Sequence, residues 1–326
     1  YNSQANAQAG TSTGLLSNTY PNTINPEIIY VRIVNNTTGC VNANEQVSLV
    51  VKLRAIANPI SQSTLDTFNV CDYEGANDGF VTHDLTAVAT EVLGTQTTPP
   101  VSISYHLTAA DQASGASPIA NPATFTNTSN PQTIYVRVQR ANDDPLDISA
   151  PCYDVTQFDI NVELLANPVI VSPTLSQTIC VDFNTQVVSN PLLLDSGVAT
   201  STGYTYQWLL NGQDIAGATS STYLVDTNAP GNYTVRVTST TSLACEKESD
   251  IFEVIQSGPA ANADYTVTNA FEDVQTVTVT HDGYGEYEYS IDGGDSWQSS
   301  AVFTNVPFGS YSIIIRDTKT ANPCDD

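Results

Sequence analysis

The chain repeats itself. NPEIIYVRI at 25–33 returns as NPQTIYVRV at 130–138, and an offset of 105 aligns residues 1–33 with residues 106–138 without a gap. Twelve of these 33 positions are identical, among them Gly10/Gly115, Asn25/Asn130 and the Tyr-Val-Arg at 30–32 and 135–137. Self-similarity of this kind confines a chain to a row of like modules rather than one large fold. Both copies then reach a cysteine, Cys40 and Cys152, and close on LRAIANP (53–59) and VELLANP (162–168). Ahead of His106 the second copy carries about 39 further residues, from Thr67, that have no counterpart in the first. Residues 1–59 are therefore expected to be the back half of a domain, and the sequence a window on a longer polypeptide.

The modules read as all-β. VSISYHL (101–107) alternates with a period of two, as do TIYVRVQ (133–139) and YDVTQFDINVEL (153–164). Helical signals are brief: Asp84 can cap LTAVATEVL before Gly94 with Leu85, Val88 and Val92 on one stripe, and Ser3 and Thr108 can cap matched turns ending at Gly10 and Gly115. From about residue 168 the pattern changes. Residues 203–238 read as a strand holding Trp208, an Asn-Gly turn, a strand at 221–225 and the strand YTVRV. This order resembles bacterial immunoglobulin-like domains, with Tyr233 placed for a tyrosine corner, although Cys245 lies beyond the YTVRV strand rather than within it. Residues 286–317 read as hairpins around the Asp-Gly and Pro-Phe-Gly turns. The expected architecture is a tandem of immunoglobulin-like β-sandwiches: an incomplete repeat at 1–59, a complete one at 60–168, an immunoglobulin-like domain at 169–257 and a further β repeat at 258–326.

Charge narrows the partners. Nine Lys and Arg stand against 34 Asp and Glu, a formal net charge of −25, which repels phosphate backbones and anionic lipid faces. Nucleic acid and direct membrane insertion are excluded, and no run of about 18 apolar residues is present to span a bilayer. Divalent cations and other proteins remain as partners.

The six cysteines are well separated, with no CxxC pair, and the histidines are only three, His83, His106 and His281. Zinc is therefore disfavoured, and disulfides in an oxidising exterior are expected. Cys71 sits on the opening strand of the complete repeat and Cys152 near its last strand; Cys180 and Cys245 hold comparable places in the next domain. The expected bridges are Cys71–Cys152 and Cys180–Cys245, each stapling its own domain, with Cys40 awaiting a partner in its own missing front half and Cys324 left over.

These residues carry a family likeness. The block CDxxxxNDGFxxxDLT, then SYHLTxADxxxG, then NPQTIYVRV and a late cysteine, resembles repeats of very long cell-surface adhesins of Bacteroidetes of the Flavobacterium type, exported by the type IX secretion system. YEYSIDGGDSWQSSAVFTNVPFGSYSIIIRD resembles the repeat of gliding-motility adhesins. The resemblance implies a non-enzymatic extracellular stalk on the outer surface of the cell, contacting cell surfaces or glycans elsewhere along its length. The alternatives are a self-assembling fibre subunit completed by strand exchange with like subunits, and a calcium-dependent or carbohydrate-binding module.

Candidate sites are few. CDYEGANDGFVTHDL (71–85) offers Ca²⁺ the oxygens of Asp72, Glu74, Asn77, Asp78 and Asp84 around two glycines. The spacing departs from the EF-hand order, because Ala76 stands at a ligand position, and the plainer reading is an acidic turn at Asp78-Gly79 with Asp84 as a helix cap. Trp297 beside Asp292 and Asp295 can present an aromatic with carboxylates to a sugar, or pack on its own domain. Asn142, Asp143, Asp144 and Asp147 read as a solvated loop with a lesser option of metal binding. No G-x-S-x-G elbow, H-E-x-x-H or phosphate-binding glycine loop occurs, so no enzyme is expected.

Overall fold

A computed structural model describes residues 1–96, 100–140, 152–199, 203–268, 274–319 and 324. The loop acids Asn142, Asp143, Asp144 and Asp147 lie outside the described residues. The fold is mostly strand, as the alternating patterns require, and it packs into two compact units. One holds residues 1–68 and 81–161; the other holds residues 69–80 and 162–326.

In chain order the first eight strands are β1 (Glu27–Val34), β2 (Val41–Leu49), β3 (Asn69–Cys71), β4 (Thr82–His83), β5 (Val101–His106), β6 (Phe125–Thr126), β7 (Gln132–Arg140) and β8 (Tyr153–Glu163). In the first unit β1 and β2 form an antiparallel pair, β5, β7 and β8 an antiparallel sheet, and β4 and β6 a short ladder. The 105-residue offset holds in three dimensions. Helical turns Gln4–Ala9 and Ala109–Ser114 coincide under it, each capped by the predicted hydroxyl, Ser3 or Thr108. Gly10 and Gly115 end them in the left-handed region at φ +67° and +75°, where a β-carbon is strained. Arg32 Nη1 donates to the carbonyls of Ala7 and Gln8, and Arg137 Nη1 to those of Gln112 and Ala113. Both repeats also share a cis Asn-Pro bond, at 25–26 and 130–131.

The two copies differ in what covers them. Ile134, Val136, Val138, Phe158 and Ile160 of the second are buried, together with Leu85, Val88 and Val92 of the predicted stripe. In the first, Ile28, Ile33, Val34, Val41 and Val47 are exposed. Asp84 caps the turn Leu85–Val88 through Thr86, but that turn is 3-10 and passes into α-helix only at Ala89–Leu93.

The second unit continues with β9 (Thr178–Val181), β10 (Val187–Asp195), β11 (Tyr204–Leu210), β12 (Gln213–Asp214), β13 (Thr222–Thr227), β14 (Gly231–Ser239), β15 (Glu246–Glu248) and β16 (Phe252–Ser257). They run in the order β12-β11-β14-β16-β9-β10-β13, with β15 beside β14 and β9 parallel to β16. Asn211 and Gly212 both have positive φ, the requirement of a two-residue hairpin turn. Trp208 is fully buried, and Tyr233, equally buried, donates its hydroxyl to the Ala229 carbonyl at 2.7 Å, forming the expected corner. Burial pushes that phenol up to about 12.

The last five strands are β17 (Ala261–Val267), β18 (Val274–Asp282), β19 (Tyr287–Ser290), β20 (Val302–Pro307) and β21 (Ile314–Asp317). One sheet is β17-β18-β20 and the other β19-β21, around Val277, Val279, Tyr289, Phe303 and Val306. The Pro-Phe-Gly turn therefore closes no hairpin. It carries the chain from one sheet to the other, because β20 pairs with β18 and β21 with β19.

Candidate functional site

The strongest chemistry in the fold is covalent. Cys71 is bonded to Cys245, with Cα atoms 5.6 Å apart, and Cys180 to Cys324, at 5.4 Å. Cys40 is exposed and Cys152 half-buried, both as thiols. The expected pairs Cys71–Cys152 and Cys180–Cys245 are thus overturned, and strand geometry gives the reason.

Segment 69–80 is held at the finish of β8. The amide of Asp72 donates to the carbonyl of Glu163 at 2.9 Å. Asn77 brackets Leu165, accepting its amide at 2.7 Å and donating to its carbonyl at 3.0 Å. The amide of Glu246 donates to the Tyr73 hydroxyl at 3.2 Å, alongside Cys245. Cys152 immediately precedes β8, so eleven residues of extended chain, about 35 Å, separate it from Glu163. A bridge tolerates roughly 7 Å between Cα atoms.

The same logic separates Cys180 from Cys245. Cys180 lies beside Ser257, at the finish of β16, while Cys245 lies against Ser239, the last residue of β14. Because Val254 of β16 pairs with Gly231, the first residue of β14, Cys180 beside Ser257 lies beyond one end of that nine-residue strand and Cys245 at the other, more than about 26 Å apart along it.

The acidic loop is turn chemistry. Asp72 is buried, and its Oδ2 accepts the Gly79 amide at 2.7 Å. Asp78 Oδ1 accepts from Phe80 at 3.1 Å, Asp84 Oδ1 from Thr86 at 2.9 Å, and the Asn77 amide is committed to Leu165. Glu74 is exposed. The structure does not gather these five side chains into one cage, and among the described residues no group of three or more His, Cys, Asp or Glu is placed to hold a metal ion.

The Asp292–Trp297 tip is likewise self-contained. Trp297 Nε1 donates to the Gly294 carbonyl at 3.0 Å, and the Arg316 guanidinium lies 4.0 Å from the ring centroid. Asp292 accepts from the Ser290 hydroxyl and from the amide and hydroxyl of Ser296, which hold its carboxyl well below the usual carboxylate range. Asp295 is exposed at the turn and makes no part of this network. A cleft of about 1080 Å³ opens between the two C-terminal sheets, lined by Tyr265, Val277, Val306, Phe308 and Tyr311.

A β-rich chain with two disulfides belongs to the class of extracellular modules that oxidising surroundings stabilise. Among the described residues no helix is long and apolar enough to cross a membrane. Residues 1–55 and 67–168 match the Flavobacterium inter-domain disulphide bond domain, so the two repeats are similar to a family of Flavobacterium proteins. Cys71 lies inside the second matched stretch and its partner Cys245 outside it. No curated protein matches the chain.

Sequence reasoning missed the relation among the late cysteines. Cys40, Cys245 and Cys324 stand eight, nine and eight residues after Arg32 of β1, Arg236 of β14 and Arg316 of β21, and Cys152 stands fifteen after Arg137 of β7. That spacing puts Cys40, Cys245 and Cys324 in one late position, apart from Cys71 and Cys180 on opening strands.

Proposed function

We propose that the chain is a load-bearing, non-enzymatic spacer within a long extracellular surface protein of a Flavobacterium-type bacterium, of the adhesin or gliding-motility kind exported by the type IX system. Its neighbours are other domains of the same polypeptide, and the contacts with cells or glycans are made elsewhere along it. The observation that carries this reading is the order of the bridges. Cys71–Cys245 and Cys180–Cys324 interleave, so each closes across the start or finish of the other. Tension on the termini then runs through sulfur twice and bypasses most of the backbone.

The supporting arithmetic is simple. Fully extended, 326 residues span about 1,140 Å at roughly 3.5 Å each. With both bridges closed, the taut path runs from Tyr1 to Cys71, across to Cys245, back to Cys180 and across to Cys324, which is about 480 Å. Bridges confined within each domain would leave about 630 Å.

Single-molecule pulling on the oxidised chain, tethered at its ends, tests this. A final contour length near 480 Å that lengthens to about 1,140 Å with reductant supports a force-bearing spacer. An unchanged length on reduction refutes it. The uncovered apolar side of β1 and β2, with Ile28, Ile33 and Val47 exposed, favours strand exchange between like subunits as a second reading. Sedimentation showing concentration-dependent association abolished by Ile33→Glu would support that alternative.

A further inference from the structure

The last two domains share one strand plan. In the first of them β11 pairs with β14, β9 with β10 and β10 with β13, all antiparallel. In the second β19 pairs with β21, β17 with β18 and β18 with β20, again antiparallel. The tyrosine corner recurs as well. Tyr311 donates its hydroxyl to the carbonyl of Pro307 at 3.0 Å, and Tyr233 donates to Ala229 at 2.7 Å, each reaching back along its own chain to the residue four before it. Strands β9, β10, β11, β13 and β14 therefore correspond to β17, β18, β19, β20 and β21.

One element sets the two domains apart. In the first, β16 lies between β14 and β9, antiparallel to one and parallel to the other, and joins both halves into one sheet. Among the described residues no strand takes that place between β21 and β17. The cleft of about 1080 Å³ opens there instead, with Tyr265 and Val267 of β17 on its lining together with Ile314 and Arg316 of β21. Val277 and Val306, two residues of this domain's core, line it as well. The corner tyrosines register the difference: Tyr233 is in register with Phe252 of β16 and fully buried, whereas Tyr311, on the cleft, is 44% exposed.

We propose that this cleft is an acceptor site for an extended peptide strand from outside residues 1–326, laid antiparallel to β21 and parallel to β17. On their cleft sides β17 and β21 have no neighbouring strand among the described residues, so their main chains offer a ladder to each side of the incoming strand. The chemistry of the occupant follows from β16, Phe-Glu-Val-Ile-Gln-Ser, in which Phe252 and Val254 pack on the core and Glu253 faces outward. The occupant is thus apolar at alternate positions, and its apolar side chains meet Val277, Val306 and Tyr311. Charge selects the remaining positions: against a chain of net charge −25 they carry Lys or Thr rather than Asp or Glu. Every described strand already pairs within its own chain, so a like copy has no strand to give. The assignment rests on sheet topology and not on the spacer reading.

The test uses the whole oxidised chain and the capped peptide KIFTVIQSK, which keeps the β16 pattern with Thr in place of Glu253 and Lys at its ends. Amide hydrogen exchange, resolved by residue with NMR, is expected to slow about tenfold or more at 263–267 and 314–316 when the peptide is added. The peptide KIFTPIQSK has the same charge but lacks the central N–H, and is expected to protect neither stretch. Tyr265→Asp, at an exposed position of the cleft, is expected to weaken binding about tenfold. Leu175→Asp adds the same charge at an exposed position outside the cleft and is expected to leave binding unchanged.

A second format covers weak binding. KIFTVIQSK is fused after Asp326 through a flexible Gly-Ser linker, which raises its effective concentration to the millimolar range. The same amides are expected to slow, and the melting temperature of the chain to rise. Protection in neither format, or equal protection by the proline peptide, overturns the assignment. So does slow exchange at 263–267 and 314–316 that grows with the concentration of the peptide-free chain, because a second copy would then fill the cleft. The pulling measurement above is independent of all these results, so failure of the acceptor site and failure of the spacer reading are separately visible.

Discussion

Glu163, the last residue of β8, accepts the amide of Asp72 at 2.9 Å, and this one bond fixes which way Cys71 can reach. It holds the opening strand at the finish of its own domain, one residue from the disulfide. The pairing follows from position along strands rather than from proximity in sequence. Cys71 bonds a residue 174 positions away although Cys152 is far closer along the chain.

Removing the first bridge has a specific signature. Cys71→Ser is expected to expose Cys245 to alkylation while Cys180–Cys324 stays closed. A bridge closing a loop this long contributes about 5 kcal/mol on the chain-entropy account, so calorimetry should show a large drop in the melting temperature of the second unit. A loss below about 1 kcal/mol would mean that the bridge constrains little.

The paired arginines should differ in cost. Arg137 is 4% exposed, donates to two helix-terminal carbonyls and lies 3.6 Å from the Tyr153 ring centroid. Arg137→Ala leaves both carbonyls without that donor and is expected to cost about 3 kcal/mol. Arg32 makes the matched bonds in a half-buried setting, and Arg32→Ala is expected to cost about 1 kcal/mol. Urea denaturation of both variants measures the difference; equal costs would show that the burial of Arg137 adds nothing.

Much of this fold was legible because it is local. Caps at Ser3, Thr108 and Asp84, the Asn211-Gly212 turn and the repeat offset each depend on a few adjacent residues, and all stand as read. Trp208 was legible as a strand aromatic and Tyr233 as a corner because the order of strand, turn and YTVRV follows the immunoglobulin-like pattern, and both are buried. The bridges were not legible from the presence of an opening and a late cysteine in each domain. Which end of a strand a cysteine occupies depends on strand direction and on partners such as Glu163 and Ser257, which no local pattern encodes. The Pro-Phe-Gly turn misled for a related reason: its composition specifies a turn but not which sheet receives the chain afterwards.

Acid should spare the Asp292 tip. Three bonds from Ser290 and Ser296 depress this carboxyl, so its contribution is present above the ordinary aspartate range near ~3.9 and is lost only as pH falls through the lower folded value. Carboxyl ¹³C NMR is expected to place the Asp292 midpoint below that of the other aspartates. A midpoint at the ordinary value would mean that the serine network is not formed in solution.

Tyr233→Phe deletes the hydroxyl that reaches Ala229 while keeping the ring in the core. The expected loss is about 1–2 kcal/mol, because the carbonyl of Ala229 is left without this donor. The raised phenol value adds a check on sign: the stabilisation is complete below pH ~10 and is lost as pH rises towards 12. A wild-type chain whose stability is flat across that alkaline window, with Tyr233→Phe indistinguishable from it, would contradict the corner's role.

Peptide mapping of the oxidised 326-residue chain, digested and separated without reductant, bears on all of this most directly. The expected products are a peptide pair joining Cys71 to Cys245 and another joining Cys180 to Cys324, with Cys40 and Cys152 recovered as alkylated thiols. Recovery of Cys71 joined to Cys152, or of Cys180 joined to Cys245, would return the bridges to within single domains and remove the basis for a covalently linked spacer.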